Sequence, residues 1–156
     1  MAAPGTPVSA RDAAIWGAIV LAAVNGAVGL YGGVRWYRHS PSRDFWFALR
    51  VAQGLALAYA ALVAVLLIDH HPPSSGVYYL YALLPIAIGF VAEQLRLVAA
   101  DQVLTARGLE DAKEVGRLAV ADQQEIVLAI LRREMGVMAL AAIVVCVLAL
   151  RAAGTY

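Results

Sequence analysis

The sequence predicts an all-α fold: a polytopic membrane four-helix bundle with both termini outside and a cytoplasmic helical extension between helices 3 and 4. Three observations predict it. Of the 156 residues, 62% are apolar and only 15% are charged, with a mean hydropathy of +0.73, against roughly 45–50% apolar and about 25% charged in soluble domains. Four apolar stretches are long enough to cross a bilayer, and Lys and Arg are spread unevenly over the connections between them. The same composition excludes a disordered tail, a nucleic-acid binder (formal net charge +1) and a disulfide scaffold, Cys146 being the single cysteine.

A helix needs roughly 20 mainly apolar residues to span the hydrocarbon core, because each residue rises about 1.5 Å and no backbone polar group can go unpaired there. The first span, Ala13 to Gly33, is uncharged. The only early cation is Arg11 and the apolar run exceeds a signal-peptide core, so it reads as a retained span. The second, Phe45 to Ile68, contains only Arg50; the third, Val77 to about Val98, contains Glu93 and Arg96 near its end. The fourth, Met135 to about Arg151, is the shortest apolar run and is expected to borrow length from Ile126 to Leu131. Residues 1–156 therefore read as one membrane domain.

Orientation follows from the basic residues, which concentrate in cytoplasmic loops. Arg35, Arg38, Arg43 and Arg50 flank the first connection, and Arg96, Arg107, Lys113, Arg117, Arg132 and Arg133 flank the third. Arg11 and Arg151 are left for the opposite side, which places both termini and the Asp69-His70-His71 turn outside. Trp36, Tyr37, Trp46 and the Tyr78, Tyr79, Tyr81 group then fall near the interfaces, where amphipathic aromatics belong.

Lipid supplies no hydrophobic drive for helix association, so close approach depends on small residues. In the first span Ala18, Ala22, Gly26, Gly29 and Gly33 follow at helical spacing, the last two as a GxxxG pair. The second carries Ala48, Ala52, Ala56, Ala60 and Ala64 at every fourth position, and the fourth offers Ala139, Ala142, Cys146 and Ala149. The third has Ala82 and Gly89, with a kink expected at Pro85.

Residues 99–134 hold most of the charge yet still read as helix, with Gly108 as a stop. A hairpin of unequal arms results: about nine residues out, or about 13 Å, and about 25 back, or about 37 Å. The returning arm must therefore bend or break, near Gly116, or lie along the membrane surface. Its partial apolar stripe, Val120, Val127 and Leu131, is set among Glu110, Asp111, Glu114, Asp122, Glu125, Lys113 and Arg117. That mixed face argues against interfacial anchoring; it reads either as a solvated face or as a docking surface for a partner or a second copy.

Ionisable groups inside spans are costly and mark candidate sites. Arg50 and Glu93 lie at comparable depths, roughly 9 Å from the inner end, on helices that run in opposite directions, so the two can meet. Asn25 and Gln53 sit slightly deeper, and Arg96 lies one turn below Glu93. An ion, proton or small-anion site with Glu93 titrating and Arg50 as counter-ion is one reading; a pair that fixes helix register is the other.

No metal site or cofactor is expected. Asp69, His70 and His71 lack a zinc-ligand spacing, His39 and His70 fall on opposite sides of the membrane, and Lys113 lies outside the spans where a retinal Schiff base would form. There is no phosphate-binding Gly-rich loop, HExxH, CxxC or GxSxG. The chain therefore reads as non-enzymatic.

The stretches GVYYLYALLP, AEQLR and ILRREMGVMALA resemble those of small four-helix integral membrane proteins of actinobacteria, over roughly the C-terminal half, and the Arg-over-Lys usage fits a GC-rich source. That group has no assigned function, so the resemblance implies a bacterial plasma membrane and a fold. The functional expectation is an interaction or accessory subunit of a membrane assembly or homo-oligomer. The alternative is a small oligomeric ion or proton channel or transporter built on Arg50 and Glu93.

Overall fold

The computed structural model describes residues 9–109 and 112–156. Glu110 and Asp111, two of the charges expected on the returning arm, lie outside the described residues. Five helices follow in order: α1 (Ala10–Tyr37), α2 (Arg43–Ile68), α3 (Val77–Ala106), α4 (Ala112–Val115) and α5 (Val120–Thr155). Four of them, α1, α2, α3 and α5, are long and apolar enough to cross a membrane. The chain is an all-α four-helix bundle of a multi-pass membrane protein.

Helix ends explain where the observed elements outrun the apolar runs. α1 begins three residues before Ala13 because Ser9 caps it, its hydroxyl oxygen accepting from the Asp12 N–H at 3.1 Å. α1, α2 and α3 all end in the same way. The residue after each C-cap, His39, His70 or Gly108, takes a left-handed φ of 54°, 57° or 71°, and the next N–H reaches back to the carbonyl of Arg35, Leu66 or Leu104. Gly108 is a foreseeable stop. His39 and His70 do the same work without glycine's freedom.

The third connection matches the unequal-arm argument. After α4 the chain leaves helical geometry at Gly116 and resumes at Val120. Gln123 closes the break by donating to the Leu118 carbonyl at 2.9 Å and the Gly116 carbonyl at 3.3 Å. From Val120 the helix then runs unbroken for 36 residues to Thr155, about 54 Å at the helical rise. It includes the Ile126 to Leu131 stretch. α3 likewise continues to Ala106 and remains one helix through Pro85.

Neighbouring helices are antiparallel, and the ring runs α1, α2, α3, α5. α5 packs most extensively, against α1 and α3, while α2 touches α1 and α3 more thinly. Ser9 and Tyr156 therefore share one end with the α2–α3 connection; the other end carries the α3–α5 hairpin. Two core clusters fill the interior: one around Leu21, Tyr59 and Tyr78 near the termini, one around Phe45, Met135 and Met138 towards the hairpin.

Two expected small-residue stripes are shifted. On α2 the buried positions are Phe45, Leu49, Ala52, Ala56, Tyr59 and Val63, at alternating spacings of four and three, so Ala52 and Ala56 are buried but Ala64 is exposed. A strict every-fourth stripe advances about 40° per step and walks off the contact face. On α1 the buried face runs through Ala14, Ala18, Leu21, Ala22, Asn25, Val28, Gly29 and Gly32, so Ala18, Ala22 and Gly29 of the expected stripe are buried. A Cβ on Gly29 would stand 2.7 Å from Ile143 and 3.0 Å from the Ala139 carbonyl, and one on Gly26 would stand 3.1 Å from Cys146 Sγ. Gly33, expected as the second half of the GxxxG contact, has nothing within 4 Å of that position. It sits about 80° around the helix from the centre of the buried face, and Gly32 makes the close contact instead.

Candidate functional site

α2 presents Arg50 and Gln53 one turn apart, and α3 presents Glu93 and Arg96 at the same spacing. The structure brings these four together. Arg50 Nη1 lies 2.6 Å from Glu93 Oε1 and donates to Gln53 Oε1, also at 2.6 Å. Gln53 Nε2 donates to Glu93 Oε1 at 3.0 Å. Each member thus satisfies the other two. Glu93 Oε2 faces Arg96 Nε at 3.5 Å, a separation suited to an ion pair and too poorly aligned for a hydrogen bond.

Arg96 has a second neighbour. Its guanidinium lies over the Trp46 ring, 5.4 Å from the centroid, a cation–π distance. Trp46 stands one turn before Arg50 on α2, and the sequence reading placed it only at the interface. The spacing of Trp46, Arg50 and Gln53 on one helix is the signal that could have linked it to the cluster. Glu134, on α5, is close enough to feel the fields of both Arg96 and Glu93, which brings the local charges to two of each sign.

The cluster lies on the outside of the bundle. Arg50, Gln53 and Glu93 line a groove of about 290 Å³ between α2 and α3 whose other walls include Leu57, Pro85, Gly89 and Phe90. The Arg50 side chain is 54% exposed and that of Glu93 28%. Leu57 and Phe90, also exposed, continue the surface along the apolar part of both helices. The groove exists because α2 and α3 pack thinly and Gly89 presents no side chain to fill it.

Asn25 does not join. It is buried on α1 and its side-chain amide donates to the Leu21 carbonyl of its own helix at 2.9 Å, which places it in the core. Of the hairpin candidates, Val120 (69% exposed) and Val127 (47%) project outward, whereas Leu131 is half-buried. Arg107 pairs with Glu125 at 2.7 Å and Arg133 donates to Gln102 at 2.7 Å, so α3 and the start of α5 are tied together beyond the spans. Among the described residues no group of three His, Cys, Asp or Glu side chains could hold a metal ion.

No protein-family model, curated protein or solved structure matches the chain. The site is a connected set of ion pairs and side-chain hydrogen bonds, facing outward from two helices that are long and apolar enough to cross a membrane.

Proposed function

We propose that this protein is a non-enzymatic interaction or accessory subunit of a membrane assembly, and that the α2–α3 face is what it presents to a partner helix or to a second copy. The observation that carries this reading is the outward exposure of Arg50 beside Glu93. A transport site would be walled off inside the bundle, whereas an ionised pair on the lipid-facing side costs several kcal/mol unless another protein surface covers it. The ten-to-two bias of basic residues supports an orientation with both termini outside and the hairpin in the cytoplasm. There Val120 and Val127 offer a second, smaller docking surface.

The test is the oligomeric state of protein extracted in mild detergent, measured by light scattering and native mass spectrometry. The unmodified protein is expected to run as an assembly larger than one chain, and Arg50→Leu with Glu93→Leu to run as a monomer of unchanged helicity. A monomeric unmodified protein, or an assembly indifferent to both changes, overturns the reading.

The rival reading, a small oligomeric channel or transporter, is favoured by one feature: the groove alongside Arg50, Gln53 and Glu93 could become an enclosed path between copies. It requires an ion or proton flux in proteoliposomes that Glu93→Gln abolishes. Absence of flux from the unmodified protein removes it.

A further inference from the structure

The opposite side of the bundle carries a different groove. Between α1 and α5 lies a space of about 520 Å³ lined by Gly29, Gly33, Trp36, Arg133, Gly136 and Ile143, among others. It continues past Gly33 into a shallower hollow that ends at Tyr37 and Arg38. Its walls are almost wholly apolar, and its polar groups gather at the hairpin end.

Three properties point to one kind of occupant. The first is length. From Arg133 to Ile143 the groove follows ten residues of α5, about 15 Å at the helical rise, which is the depth of one leaflet in a hydrocarbon core of roughly 30 Å. The second is shape. Gly33 leaves open space where a side chain would stand, and the Trp36 ring closes the end of the groove, 2.8 Å from where a Cβ on Gly136 would sit. The third is charge. Arg38 and Arg133 stand at the rim, with Arg35 and Arg132 beside them in sequence, and no acidic residue lines either part of the groove. The Nε atoms of Arg35 and Arg132 are buried and make no hydrogen bond. Arg132 lies over the Trp36 ring at 5.8 Å. Arg133 bonds to neutral Gln102 and has no ion-pair partner among the described residues. The acid next in sequence, Glu134, faces the Arg96 and Glu93 side instead.

We propose that this groove binds one anionic glycerophospholipid of the adjoining leaflet, its phosphate held by Arg38 and Arg133 and one acyl chain lying along Gly33 and Gly136 towards Ile143. The arginines sit beside Trp36 and Tyr37, residues of the kind that mark the headgroup level, and the apolar walls begin one turn deeper. A zwitterionic lipid fits the same walls but gains less from the rim. A net negative headgroup gains roughly 1 kcal/mol per basic residue at the surface, or about fivefold in affinity for each arginine.

Trp36 is a built-in reporter. In a Trp16→Phe, Trp46→Phe background, the detergent-purified protein is titrated with brominated phosphatidylglycerol or brominated phosphatidylcholine, and quenching of Trp36 is followed. The anionic lipid is expected to quench at a mole fraction at least about fivefold lower than the zwitterionic one. Arg38→Gln with Arg133→Gln is expected to erase that preference. Gly33→Leu, which fills the groove from a position with no neighbour to displace, is expected to reduce quenching by both lipids at unchanged helicity. Equal quenching by the two lipids, a preference that survives loss of both arginines, or quenching indifferent to Gly33→Leu each overturns the proposal.

Discussion

Arg50 and Glu93, forty-three positions apart in the chain, meet across the α2–α3 groove with 2.6 Å between guanidinium nitrogen and carboxylate oxygen. Gln53 bridges them, and Arg96 stands on the far side of the carboxylate. Removing Glu93 alone therefore takes away the anion that contacts both Arg50 and Arg96, leaving two cations with Glu134 as the remaining nearby acid. Removing Arg50 and Glu93 together leaves a shorter list of unmet groups.

The consequence is a sign that a mutant cycle can read. Glu93→Leu is expected to lower unfolding stability in micelles by about 2 kcal/mol, between the 3–5 kcal/mol of a fully buried broken pair and the roughly 0–1 kcal/mol of an exposed one. Arg50→Leu with Glu93→Leu is expected to cost less than the sum of the two single changes by about 1 kcal/mol. Strict additivity would show that the two charges do not stabilise each other.

The glycines of α1 give a sharper contrast because they are adjacent. A Cβ on Gly32 would overlap the Phe45 ring and come within 2.9 Å of Ala139 Cβ, whereas one on Gly33 meets nothing within 4 Å. Gly32→Ala is expected to cost about 1–3 kcal/mol through overpacking at the α1–α2–α5 junction. Gly33→Ala is expected to be neutral or slightly stabilising, since alanine is the better helix former. Thermal unfolding of the two variants in the same detergent decides between this register and the one the GxxxG pattern suggests.

That pair also marks the limit of what the chain makes legible. Span number, helix type and the break near Gly116 follow from length and hydropathy, which act on each segment alone. Arg50 and Glu93 could be matched because both depths are measured from nearby helix ends. Which side of a helix faces its neighbours is a different matter. In water the apolar stripe marks it; in lipid both faces are apolar and only side-chain size distinguishes them. Gly32 and Gly33, or the alanines of α2, then offer two nearly equal choices, and the close fit of Phe45 against α1 selects one. The outward aim of the charged cluster and the left-handed ends at His39 and His70 depend on neighbours in the same way.

The termini end rests on a relationship of the same kind. Tyr59 of α2 and Tyr78 of α3 join hydroxyls at 3.0 Å, Tyr59 also donates to the Ala14 carbonyl of α1 at 3.3 Å, and Tyr78 packs edge-on against Tyr156 beyond α5 at 4.9 Å. Four segments thus converge on two buried phenols. Because the Tyr59 proton goes to Ala14, the Tyr78 hydroxyl must be the donor in the bond between them. Tyr78→Phe then leaves the Tyr59 donor satisfied and is expected to cost about 1 kcal/mol. Tyr59→Phe strands the Tyr78 hydroxyl at 1% exposure and is expected to cost about 2 kcal/mol, the penalty of an unmet buried donor. The double change to Phe is expected to cost no more than Tyr59→Phe alone. Unfolding of the three variants in one detergent tests the order, and a larger loss from Tyr78→Phe would reverse the direction of donation.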